Sequence, residues 1–123
     1  MEGTITQLDE MASKAIDVKV VATAISEHIE RITLKLREFP AQVRAQVSFN
    51  SGALSWGKSP GTSEWCFLLT LGDSTCDLRV ASVPNKIAAA PFIPLVIDDM
   101  QREQDRIATQ GYAAIKKLVD VGV

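Results

Sequence analysis

Two long apolar stripes of helical spacing, separated by four short runs of alternating apolar and polar residues, predict an α+β fold. The expected order is α-β-β-β-β-α: a long N-terminal helix, a four-stranded antiparallel meander and a long C-terminal helix. At 123 residues the chain has the usual size of one domain, residues 1–123, with enough length to bury a core without disulfides or a structural metal.

The first helix is expected over about residues 4–38. Leu8, Met11, Ala15, Val18, Ala22, Ile25, Ile29, Ile32, Leu36 and Phe39 keep an alternating spacing of three and four, which only a helix places on one face. Pro40 marks the stop, because the residues before a proline are pushed towards extended geometry. Between residues 15 and 26 the helix is apolar in nearly every direction, with only Asp17, Lys19, Thr23 and Ser26 polar. A helix apolar all round is buried all round, so Ala15, Val18, Val21, Ala22 and Ile25 are the expected oligomer interface, most simply that of a two-fold dimer. The alternative is a break where β-branched residues cluster, near Asp17-Val18-Lys19-Val20. The positions flanking the stripe are Ala12, Lys19, Ser26 and Thr33 on one side and Lys14, Val21, His28 and Lys35 on the other. They offer no acidic partners for the lysines, which disfavours an ordinary parallel zipper.

After Pro40 the period changes to two. Val43, Ala45, Val47 and Phe49 alternate with Arg44, Gln46 and Ser48; Asn50-Ser51-Gly52 turns the chain, and Leu54 and Trp56 continue the apolar face. A third run sets Trp65, Phe67, Leu69 and Leu71 on that face. A fourth, over residues 76–83, adds Cys76, Leu78 and Val80 after a turn at Gly72-Asp73-Ser74-Thr75, in a register that sets Leu71 against Cys76 and Cys66 against Ala81. Cys66 and Cys76 then project from opposite faces, so no disulfide is expected and a reducing compartment, the cytoplasm, fits.

The second helix is expected over about residues 94–120. Ile93, Ile97, Met100, Ile107, Ala114, Leu118 and Val121 form its stripe, interrupted by Gln104 and Gly111, and Asp98, Asp99, Arg102, Glu103, Asp105 and Arg106 form a solvated face. It starts with Pro94 in its first turn or with Asp98 as its cap. A first helix of about 52 Å overruns strands of some 26 Å, so half of it needs another partner.

Composition narrows the function. Thirteen basic and fifteen acidic residues are mixed along the chain for a net charge of -2, with no basic run, which disfavours nucleic acid. No apolar run spans a bilayer and no signal peptide is visible, so a cytoplasmic protein without membrane contact is expected. The segment Gly52-Ala53-Leu54-Ser55-Trp56-Gly57-Lys58-Ser59 matches the phosphate-cradling pattern G-x-x-x-x-G-K-[ST], with Gly52, Gly57, Lys58 and Ser59 as the phosphate residues and the apolar run ending at Asp98-Asp99 as the companion motif. Such a loop must lead into a helix whose N-terminus faces the phosphates, whereas Pro60-Gly61 and a strand follow here. A hairpin strand running into a turn is therefore expected. His28 is the single histidine, so no usual metal site and no nucleophile, base and orienter set can be assembled, and no cofactor is implied. On the mixed sheet face Arg44, Asp77 and Arg79, with Cys66 and Leu68 as an apolar floor, are the candidate ligand or partner site. The expected function is non-catalytic: a self-associating binding or adaptor protein that takes a protein partner or a small ligand. The alternative is a small phosphate- or nucleotide-binding enzyme using residues 52–59.

Overall fold

A computed structural model describes residues 2–122, with side chains from residue 3. The elements are α1 (Glu2–Arg37), β1 (Ala45–Phe49), β2 (Gly52–Lys58), β3 (Trp65–Leu71), β4 (Ser74–Asp77), a 3-10 turn at Leu78–Val80, α2 (Val83–Ala89), a second 3-10 turn at Ala90–Phe92, and α3 (Ile93–Val121). The fold is the expected α+β arrangement with α2 added before the last helix. Its sheet is an antiparallel meander in the order β1-β2-β3-β4.

α1 runs unbroken through Asp17-Val18-Lys19-Val20. It stops at Arg37, three residues before Pro40, and the Glu38 and Phe39 amides close the last turn on the Lys35 and Leu36 carbonyls. Phe39, the last position of the stripe, therefore lies beyond the helix and is exposed. Gln42 secures the exit. Its side-chain amide donates to the Leu36 carbonyl at 2.7 Å, and its oxygen accepts from the Trp56 indole N–H at 2.9 Å.

Both long helices pack on one face of the sheet. Leu54 and Trp56 of β2 and Phe67 and Leu69 of β3 meet Ile29 and Leu36 of α1 and Ile93, Val96 and Met100 of α3. Trp56 and Phe67 face each other across β2 and β3 with rings edge to face at 5.0 Å, and Phe49 stacks on Phe92 at 4.7 Å, fixing the start of α3 over the β1 end. α3 also covers the outer edge of β1, where the Gln46 amide donates to Asp99 Oδ2 at 3.2 Å. Gly52 is required by packing: a Cβ there would stand 1.9 Å from the Thr70 carbonyl oxygen.

The fourth strand departs from expectation. Gly72 and Asp73 alone make the turn, with φ +59° at Gly72, so Leu71 pairs with Ser74 and Leu69 with Cys76, two residues off the expected register. An even slip preserves which face each side chain occupies, and Cys66 and Cys76 remain on opposite faces as free thiols. β4 ends at Asp77 because its carboxylate accepts from the Arg79 amide at 2.9 Å and starts a 3-10 turn. Leu78 thereby enters the core while Val80, expected on the apolar face, is 76% exposed.

α2 lies where a loop was expected. Ser82 caps it, accepting from the Asn85 amide, and Pro84 sits in its first turn. α3 begins at Ile93 with Pro94 in its first turn, so Asp98 is inside the helix and does not cap it.

Much of each long helix has no partner. Every described residue of α1 before Ala22 is exposed, and only the stretch from Ile25 to Leu36 reaches the core. α3 is likewise exposed beyond Gln104 except at half-buried Gly111. The α1 arm leaves the body beside α2, where Lys86 donates to Ser26 Oγ at 3.0 Å, and the α3 arm leaves past Leu36 and Phe39.

Candidate functional site

The face of the sheet turned away from the helices is open around Gln46 and Ser55 but closed at Cys66, which is 0% exposed, and the ladder arranges it in rows across the strands. Gln46, Ser55, Leu68 and Asp77 are directly opposite one another, as are Gly57 and Cys66 in the adjacent row. Small side chains in β2 leave a depression of about 410 Å³ whose floor is Ser55, Gly57 and Leu68 and whose rim is Arg44, Asp99 and Glu103. The Arg44 guanidinium lies 5.5 Å from the centre of the Trp65 ring, which Lys58 also approaches at 6.0 Å. Both rim carboxylates are engaged: Asp99 accepts from Gln46 and Arg102, and Glu103 pairs with Arg106.

The five residues expected on this face separate into two groups. Arg44 and Leu68 belong to the depression. Asp77, Arg79 and Cys66 form a closed cluster on the β4 side. The Arg79 guanidinium grips the Asp77 carboxylate, with Nη2 at 2.6 Å from Oδ2 and Nε at 3.1 Å from both oxygens, and reaches across to Glu30 of α1 at 3.4 Å. Burial alone would push the Asp77 carboxyl up, but hydrogen bonds from the Arg79 side chain and amide, together with its charge, hold it below the usual carboxylate range. Burial, reinforced by the neighbouring Asp77 charge, pushes the Cys66 thiol up to about 11. Such a thiol is protonated and inert near neutrality. Asp77 and Arg79 thus spend most of their hydrogen bonds on each other, and one longer contact from Arg79 joins the cluster to α1.

The phosphate pattern falls in β2. Residues 52–56 are paired to β1 on one side, residues 52–58 to β3 on the other, and the turn after Ser59 leads into β3 rather than into a helix. The segment does not form the loop that the pattern requires. The companion Asp98-Asp99 lies inside α3, with Asp99 spent on the β1 edge. His28 is exposed on α1, and among the described residues no group of three or more His, Cys, Asp or Glu side chains is placed to hold a metal ion.

The second candidate surface is the α1 arm. Ile5, Leu8, Met11, Ile16, Val18, Val20 and Val21 are all between 46% and 67% exposed on one continuous helix. Of the five expected interface residues, Ala15, Val18 and Val21 lie on this arm, Ala22 is half-buried at its root, and Ile25 is already packed against the core. The apolar surface therefore reaches nearer the N-terminus than the sequence alone suggested. Leu8 and Met11 signalled it by continuing the stripe. Among the described residues no helix is long and apolar enough to cross a membrane.

Comparison with protein-family models, with curated proteins and with solved structures finds no match for this chain.

Proposed function

We propose that this chain is a non-catalytic, self-associating protein. The α1 arm joins copies, and the open sheet face beside Arg44 receives a protein partner or a small ligand. The observation that carries the reading is the set of exposed large apolar side chains from Ile5 to Val21, spread around most of the helix, far from the core yet on an unbroken helix. Burying one such side chain contributes about 1.5–3 kcal/mol, and contiguous apolar surface of this kind marks an interface. A dimer is the simplest closed assembly. Two free thiols suit a reducing interior such as the cytoplasm.

Light scattering at micromolar concentration tests this. The expected mass is twice the 13.4 kDa chain. Val18→Glu should reduce it to that of one chain with the helical circular-dichroism signal of the body retained, because Val18 touches no core residue and only an interface would bury the new carboxylate. A monomeric parent protein overturns the reading.

A further inference from the structure

We infer that the partner of the α1 arm is the α1 arm of a second copy, laid antiparallel along the stripe from Thr4 to Ala22; this rests on the self-association just proposed. The fold decides the direction. From Ile25 onward the stripe of α1 is occupied by its own chain: Ile25 is half-buried in the core, Ser26 is bonded to Lys86 of α2, and Ile29 is 2% exposed beneath the sheet. A parallel partner helix in register would have to continue along that same stripe, into the space filled by the sheet and α2 of both copies. An antiparallel partner ends where the body begins, and the two bodies stand at opposite ends of the pair.

Side-chain size agrees. In a parallel, in-register pair Ala15 meets Ala15 and Ala22 meets Ala22, leaving thin layers on either side of that of Val18. In the antiparallel alignment that stays clear of the body, Thr4 lies against Ala22, Leu8 against Val18 and Met11 against Ala15, each layer occurring twice by symmetry, so both alanines face a larger side chain. Charge agrees as well. The parallel pair sets Lys14 against Lys19 of the other chain twice. The antiparallel pair sets Lys19 against Ile5 and brings Lys14 to its own symmetry mate once, each Lys14 lying 3.7 Å from Asp17 of its own chain. The opposed helix dipoles favour the same direction.

Spin labels on the outer side of the arm read the direction in the register that sets Thr4 against Ala22. Thr6→Cys and Ser13→Cys are labelled separately in a Cys66→Ala, Cys76→Ser background, and the distance between the two labels of the assembly is measured by pulsed electron resonance. Moving the label seven residues towards the tip lengthens the axial separation in an antiparallel pair by about 21 Å, so the Thr6 distance should exceed the Ser13 distance by on the order of 10 Å. Equal distances mean a parallel pair and overturn the inference while leaving self-association standing. Two distances both beyond about 40 Å, given arms of roughly 30 Å, place another surface against α1 and also overturn it. No dipolar signal from a protein of single-chain mass overturns the underlying reading instead.

Discussion

The two halves of α1 carry one uninterrupted apolar stripe and meet opposite fates. Ile29 and Leu36 are buried against Trp56, Phe67 and Leu69, whereas Leu8, Met11 and Val18 stand in solvent on the same helix. Periodicity specifies which face of a helix is apolar and is silent about what covers it. Length decides that: α1 has 36 residues, about 54 Å, and the strands that roof it have at most seven, about 24 Å. α3 repeats the pattern: beyond Gln104, where it leaves the body, Ile107, Tyr112, Ile115, Leu118 and Val119 stand between 47% and 75% exposed, with Gly111 interrupting the stripe.

Substitution in the packed half gives the largest expected effect. Ile29→Ala removes a 2% exposed side chain from the centre of the core, and should cost about 2–5 kcal/mol in urea unfolding followed by tryptophan fluorescence. A loss below about 1 kcal/mol would mean that the packed half is no better anchored than the arm. Gln42→Ala probes the same half at its exit. It takes the acceptor from the Trp56 indole N–H and the donor from the Leu36 carbonyl, so a loss of about 1–3 kcal/mol is expected, and Gln42→Glu, which keeps an acceptor for Trp56, should recover part of it.

The sequence disclosed these two halves unequally. The stripe, the change of period after Pro40 and the alternation through Phe49, Trp56 and Phe67 were enough for the order of the long helices and strands, because each pattern repeats over many residues. What escaped was decided by single side chains. One Asp77 carboxylate turned onto the Arg79 amide ends β4 early and turns Val80 out to solvent, and one Ser82 cap with Pro84 behind it starts α2 inside a segment too short to show a period. The candidate face was legible as a row of residues but not as a cluster. Alternation places Asp77 and Cys66 on it correctly, while the reach of Arg79 to Glu30, 49 positions away, depends on how α1 crosses the sheet.

That reach ties the packed half to β4, and acid should loosen it. The Asp77 carboxyl is held below its ordinary 3.8 in the folded chain, so its contribution is fully present above that value and is lost as pH falls through the lower folded one. Urea midpoints should therefore drop below about pH 4, and Asp77→Asn should lower the midpoint at pH 6 while flattening the fall in acid. An unchanged acid slope in the variant would show that the cluster does not anchor α1.

The smallest effect belongs to the arm, and it depends on concentration. Val18 is 61% exposed within one chain, so Val18→Ala in a dilute monomer should shift stability by no more than about 0.5 kcal/mol, an order less than Ile29→Ala. Once arms associate, the same methyl groups lie in an interface, and association stabilises the fold by mass action. The parent Tm should then rise with protein concentration, and Val18→Ala should flatten that rise while leaving the dilute limit in place. If the variant lowers Tm equally at every concentration, the arm is part of the folded body of one chain and the two halves of α1 do not differ in kind.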